Sequence, residues 1–172
     1  MITKLTEPNE DRPLRIVGIA GSLRQASVSR RLIASAIDLA PKGVVIRPLE
    51  LRPLPFYDAD LEGGAAPSSV VDFKQAIADA DGILIASPEY NHSVSGVLKN
   101  TIDWASRPAY RSVLLGKPIA IVGSGSGPVG GARGIAHLQQ IMLGTASLVM
   151  PGRDVLIDGR AEPLGACFSI GA

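Results

Sequence analysis

The chain has 172 residues, a formal net charge of +1 and 46% hydrophobic residues. That length suits one domain with a substantial core, and the balanced charge removes the electrostatic case for nucleic acid or an anionic membrane as partner. A single cysteine, Cys167, and two histidines, His92 and His137, exclude an intrachain disulfide framework and leave too few ligands for a cysteine- or histidine-rich metal site.

Residues 1–13 hold two prolines, Pro8 and Pro13, and no periodic apolar pattern, so they read as a loose tail. The run from Glu7 to Asp11 is polar and acidic, unlike a signal peptide. No apolar run approaches the ~20 residues needed to span a bilayer. The expected location is the cytosol.

The first strand is the β-branched run Ile16 to Ala20. It breaks at Gly21 into a loop rich in hydroxyls and arginine, and a helix follows from Ser29, with Leu32, Ile33, Ala36, Ile37, Leu39 and Ala40 at helical spacing. The first N–H groups of a helix lack intrahelical partners and sit at the positive end of its dipole. Ser22, Ser27 and Ser29, with Arg24 beside them, therefore suit an anion such as phosphate. Ser29 also reads as a plain N-cap.

Val44 to Leu49 is a second strand, near an edge because of Pro48. Residues 50–67 are rich in Pro, Gly and acidic groups. They read either as a rim over a site, through Phe56 and Tyr57, or as a surface connection. Ser69-Val70-Val71-Asp72 fits a capping box and starts a second helix. Gly82 to Ser87 is a continuous apolar strand, as expected where both sheet faces are covered. Val97, Leu98, Ile102 and Ala105 mark a third helix, Pro118 to Val122 a fourth strand, Ile135, Leu138, Met142 and Thr145 a fourth helix, and Ser147 to Met150 a fifth strand. Strands alternate with helices, which defines a doubly wound, five-stranded parallel α/β sheet. Ligands bind such sheets beyond the carboxyl ends of the strands. The polar, glycine-rich loops after Ala20, Ser87 and Val122 all lie there.

The loop after Ser87 gathers Glu89, Tyr90, Asn91, His92, Ser93 and Ser95. Its amide and backbone N–H groups suit the imide edge of a planar heterocycle, and Tyr90 suits an aromatic wall. His92 reads as a loop contact rather than a proton donor. Trp104 reads as a core or interface residue.

Gly21-Ser22-Leu23-Arg24-x-x-Ser27, together with Pro88-Glu89-Tyr90-Asn91-x-Ser93-x-x-Gly96-x-Leu98-Lys99-Asn100-x-x-Asp103-Trp104, resembles the NAD(P)H-dependent FMN reductase family. That family includes bacterial quinone and chromate reductases and has a flavodoxin-like fold. The resemblance runs from about Leu14 to Met150 and takes in Gly130-Gly131-Ala132-Arg133. It implies bound FMN, with NADPH or NADH as co-substrate. Ser22, Arg24, Ser27 and Ser29 would hold the phosphate. Pro88, Glu89, Tyr90 and Asn91 would line the isoalloxazine and ribityl chain, and Ser124, Gly125 and Ser126 would approach the ring. No acid or base residue is implied, because the flavin carries the chemistry. Hydride would pass from nicotinamide to FMN and on to a quinone, a free flavin or an oxidant such as chromate, with ping-pong kinetics. A homodimer or homotetramer is implied, with Val97 to Trp104 and Arg133 to Met142 as candidate contacts. Ser29 stands where the family usually has Asn, which shortens a phosphate contact. Ser95 stands where Pro is frequent, which implies a less stiff flavin loop.

Two other readings stay open. One is an FMN-binding electron carrier or regulatory binder without NAD(P)H activity. The other is a flavin-free Rossmann-type dehydrogenase using Gly125-x-Gly127-x-x-Gly130, which matches the dinucleotide fingerprint. Against the latter, the first turn carries serines and an arginine, and Asp154 is a poor match for the acidic partner. Residues 14–152 form the expected domain. Residues 153–172 form an atypical tail, because glycines and a proline replace the final helix the fold calls for.

Overall fold

The computed structural model describes residues 12–125, 127 and 129–160. Residues 1–11, Ser126, Pro128 and residues 161–172, with Cys167 and the greater part of the expected atypical tail, lie outside them.

The strands are β1 (Leu14–Ala20), β2 (Val44–Leu49), β3 (Gly82–Tyr90), β4 (Ser93–Val94), β5 (Pro118–Gly125), β6 (Leu148–Val149) and β7 (Val155–Asp158). The helices are α1 (Val28–Asp38), α2 (Ser68–Ala78), α3 (Gly96–Ala105) and α4 (Ala132–Gly144). The parallel sheet runs β2-β1-β3-β5, and β6 and β7 both pair with β5 on its far side. β6 meets Pro118 and Ile119 at the start of β5, and β7 meets Val122 to Gly125 at its end. Together they make one interrupted fifth track. This is the expected doubly wound parallel sheet.

The continuous apolar reading of β3 has a direct structural cause. Side chains alternate between the two faces of a strand. Ile83 and Ile85 enter the larger core, with Phe73 and Ile77 of α2, Leu98 and Ile102 of α3, and Leu138 and Met142 of α4. Leu84 and Ala86 face the opposite side, with Leu32 and Ile33 of α1, Val122 and Ile157. Trp104 is buried in the chain's own interior, as are Leu98, Ile102, Ile135, Leu138 and Met142, so those candidate contact residues serve the fold.

Three local expectations need correction. α1 is capped by Ser27, not Ser29: the Ser27 side chain accepts the Arg30 N–H at 3.1 Å. The capping box at Ser69 does not form. Pro67 precedes α2 without a side-chain cap, and the Ser69 hydroxyl instead donates to the Pro53 carbonyl at 2.9 Å. β7 arises in the stretch read as an atypical tail.

Residues 50–67 form a connection pinned to α3, with single 3₁₀ turns at Ala59–Leu61 and Gly63–Ala65. Asn100 accepts the Tyr57 N–H at 2.7 Å, and Asn100 and Trp104 both donate to the Pro55 carbonyl, each at 2.9 Å. Tyr57 meets Trp104 edge to face at 5.1 Å, and Arg107 lies 5.5 Å from the Tyr57 ring centre. Tyr57 donates its hydroxyl to Glu62, and that bond holds the phenol pKa above its usual value.

A candidate cofactor site at the carboxyl edge of the sheet

The loops after β1, β3, β5 and β7 converge at one end of the sheet. They enclose a cavity of about 360 Å³, within the range of roughly 300–1,000 Å³ typical of small-molecule sites. Its lining includes Ser22, Arg24 and Ser27 from the loop after β1, Ser29 from the first turn of α1, Pro88, Glu89 and Tyr90 from the end of β3, and Ser124 and Gly125 from the end of β5. Nine of the eleven expected residues thus meet around one space. Asn91 is not among the lining residues, and Ser126 lies outside the described residues.

The first loop is built to present donors. Ser22, Ser27 and Ser29 are buried. The Ser22 and Ser27 side-chain oxygens accept the backbone N–H groups of Arg24 (3.4 Å) and Arg30 (3.1 Å). A hydroxyl that accepts keeps its own proton to donate. The Ser29 and Ser124 oxygens lie 3.5 Å apart, joining the first turn of α1 to the end of β5 inside the wall. The N–H groups of Val28 and Ser29, in the first turn of α1, have no carbonyl one turn earlier to meet. Arg24 is exposed at the edge and adds a fixed positive charge. Hydroxyl protons, helix N–H groups and a guanidinium are the donor set a phosphate monoester requires.

The second loop is a hairpin. Tyr90 pairs with Ser93 and Glu89 with Val94, leaving Asn91 and His92 as a two-residue turn. Their φ values of 49° and 64° have the sign pattern of a type I′ turn, which suits the twist of a hairpin. Asn91 therefore shapes the turn. His92 is exposed at its tip. Tyr90 is 47% exposed at the cavity rim and leaves ring area for stacking. Glu89 is turned to another task. Its carboxylate accepts the N–H groups of Arg133 and Gly134 at 3.0 and 3.1 Å, capping α4.

In the third loop, Gly130 of the fingerprint and the neighbouring Gly131 are closely packed, whereas a Cβ on Gly127 would meet nothing within 4 Å. A Cβ on Gly130 would lie 2.8 Å from Leu156 Cβ, and one on Gly131 would lie 2.8 Å from the Ser124 carbonyl oxygen. Both residues have positive φ. These glycines let the loop fold onto β5 and β7, a packing role within the chain.

The fourth loop was missed by sequence reasoning. Gly159 and Arg160 line the cavity, and the Gly159 N–H donates to the Gly125 carbonyl at 2.8 Å. Asp158 holds the Arg160 guanidinium through Nε at 3.1 Å and Nη2 at 2.9 Å. These bonds lower the Asp158 pKa and raise that of Arg160. The available signal was a short apolar run, Val155 to Ile157, ending in Asp-Gly, the pattern of a strand entering a turn. Among the described residues, no group of three or more His, Cys, Asp or Glu could hold a metal, and no helix is long and apolar enough to cross a membrane.

A switch-point cavity with a serine–arginine anion loop on one side and an aromatic rim on the other marks a flavodoxin-like α/β protein that takes a phosphorylated cofactor. The chain belongs to the NADPH-dependent FMN reductase family, whose profile matches residues 14–162. It is 36% identical over 165 residues to an NAD(P)H-dependent FMN reductase of Pseudomonas aeruginosa, covering 88% of this chain and 89% of that one. It is 44% identical over 128 residues to a 2-hydroxy-1,4-benzoquinone reductase of Burkholderia sp, covering 74% of this chain and 69% of that one. Among solved structures it matches the flavoenzyme NAD(P)H:(acceptor) oxidoreductase of Paracoccus denitrificans, with a TM-score of 0.79 and 34% identity over 84% of this chain and 79% of that one. The protein is an oxidoreductase of a flavoenzyme family, with FMN and NAD(P)H as its cofactors.

Proposed function

We propose that the carboxyl-edge cavity is the FMN site of an NAD(P)H:quinone reductase. The observation that carries this is the meeting of buried Ser22, Ser27 and Ser29 with Arg24 on one side and Tyr90 on the other, around one space. FMN, when bound, supplies the two-electron chemistry, accepting hydride from NAD(P)H and passing reducing equivalents to an acceptor. The protein's part is to bind and orient. The three hydroxyls, the α1 N–H groups and Arg24 hold the phosphate. Pro88, Tyr90, Ser124 and Gly125 flank the ring, with Ser126 placed beside them in sequence. Glu89 supports the ring loop by fixing it to α4. Nicotinamide and acceptor use the same open face in turn, which gives ping-pong kinetics. Quinones are favoured as acceptors by the quinone-reductase names among the relatives; free flavin and chromate need the same exposed face.

The test is a spectrum after incubation with FMN and gel filtration, followed by NADPH under nitrogen. Retained flavin bands that bleach support the reading. Bands that persist in NADPH and NADH point to an electron carrier or regulatory binder, and a colourless protein defeats the reading. Parallel initial-rate lines with NADPH and a benzoquinone support the shared face; intersecting lines reject it.

We also infer self-association, in a cytoplasmic setting. Phe56 and Tyr110 are 88% and 85% exposed on adjoining loops that Tyr57 and Arg107 bring together. Exposed large aromatics are a natural contact between subunits. Sedimentation tests this: a monomer across micromolar concentrations overturns it.

A further inference from the structure

We propose that Ser95 is a positioning residue that sets the phosphate loop from the start of α3; this rests on the FMN reading above. Ser95 is buried and is the N-cap of α3, where its side-chain oxygen accepts the Leu98 N–H at 3.3 Å. Its hydroxyl proton goes elsewhere. It donates to the carbonyl of Gly21 at 2.6 Å, across 74 residues of sequence.

Gly21 is the hinge between β1 and the serine loop. Its own N–H donates to the Ala86 carbonyl at 2.8 Å. Its carbonyl belongs to the same rigid peptide plane as the N–H of Ser22. The Ser22 N–H in turn reaches the Ala20 carbonyl at 2.7 Å. Holding the Gly21 oxygen therefore fixes the plane from which Ser22 enters the cavity. There is little slack around this hinge. A Cβ on Gly21 would lie 2.9 Å from Pro88 Cδ and 3.1 Å from Leu98 Cδ2. The family resemblance implies that serine in place of the frequent proline leaves the ring loop less stiff. The structure points the other way, since the hydroxyl ties the ring loop's helix to the phosphate loop and makes one unit of the two.

A cap lost from α3 would lower stability without favouring one ligand over another. A lost tie to Gly21 would act on the phosphate end alone. The discriminating quantity is the ratio of riboflavin Kd to FMN Kd, which isolates the contribution of the phosphate. Two full-length variants are compared with the wild type by fluorescence titration. Ser95→Ala removes the hydroxyl. Ser95→Pro also removes it while suiting the observed φ of −68°, and it keeps the test open if the alanine variant does not fold. A single buried hydrogen bond suggests a fall of about tenfold in the ratio, with the riboflavin Kd unchanged. A ratio that stays at the wild-type value in the folded variants overturns the proposal. A riboflavin Kd that rises in step with the FMN Kd also overturns it. Wild-type protein that binds riboflavin as tightly as FMN defeats the phosphate-site reading itself, and the proposal with it.

Discussion

Glu89 accepts the backbone N–H of Gly134 at 3.1 Å and that of Arg133 at 3.0 Å with the same carboxylate oxygen, so the end of β3 caps the helix after β5. The Arg133 guanidinium adds a 3.6 Å ion pair to the other oxygen. A negative charge at a helix N-terminus is favoured by the helix dipole. Glu89→Ala is expected to lower stability by about 1–2 kcal/mol, the scale of a lost N-cap. Glu89→Gln, which keeps a side-chain acceptor, is expected to lose less. Urea midpoints of the two variants check the order.

Arg24 supplies charge at the cavity edge without shaping the fold. Arg24→Ala is expected to weaken FMN binding about tenfold or more, on the scale of one charge-assisted hydrogen bond. Riboflavin binding should not change, and the FMN variant should lose part of its salt dependence. Titrations at two salt concentrations decide it; equal weakening of both ligands would place Arg24 elsewhere.

Gly131 has φ 86° and stands directly before α4. A methyl group there meets the Ser124 carbonyl at 2.8 Å and takes on a left-handed backbone cost. Gly131→Ala is expected to destabilise by about 1–3 kcal/mol. Because the strain falls on Ser124, FMN affinity should drop as well. Thermal melts with and without FMN read both effects.

The scaffold was legible where one signal decided the structure. β1, β3 and β5 are apolar runs with covered faces on both sides, and each ends in a polar loop. Where two near-equal options competed, sequence did not choose. Ser27 and Ser29 are both good caps, and the cap became Ser27 because the chain leaves helical geometry there. Ser69 had a capping partner in Asp72, yet its hydroxyl turned to the Pro53 carbonyl, a tertiary contact invisible to local spacing. β7 has three apolar residues, too few for periodicity. Its pairing with β5 creates the strand, and with it the placement of Arg160 in the cavity wall. The roles of Glu89 and Ser95 were hidden for the same reason. Each bonds to backbone more than 40 residues away in sequence.

Asp81 ties the start of β1 to the start of β3. It accepts Arg12 through Nη1 at 2.8 Å and Nη2 at 2.6 Å, and the Arg15 N–H at 2.8 Å. The Arg12 side-chain bonds dominate and hold its pKa down, from 3.8 to about 2. A carboxyl depressed in the folded state contributes stability above its unfolded pKa and loses it as pH falls through the folded value. Acid sensitivity between about pH 4 and pH 2 is therefore expected to have an Asp81 component. Asp81→Asn should flatten the stability profile in that window; an unchanged slope would remove the pair from the account.

Trp104 is 1% exposed and is the chain's single tryptophan. Trp104→Ala is expected to cost about 3–5 kcal/mol, as for other large core deletions. It also frees the Pro55 carbonyl from one of its two side-chain donors, so the 50–67 connection should become sensitive to protease. Circular dichroism is the suitable probe, because the variant has no tryptophan emission. A variant as stable and protease-resistant as the parent would show that Asn100, Ser69 and Arg107 anchor that connection without Trp104.

The interrupted fifth track affects how the protein behaves at high concentration. An exposed sheet edge is a template on which another chain can add a strand, and long regular edges invite fibrous aggregation. Here the edge formed by β6 and β7 is broken at Met150–Asp154, where Pro151 has no N–H to offer and Gly152 turns the backbone with φ 147°. At the opposite edge, β2 carries Arg47 and Pro48. Among the described residues, both borders of the sheet therefore carry breaks that make them poor templates for strand addition and amyloid-like growth.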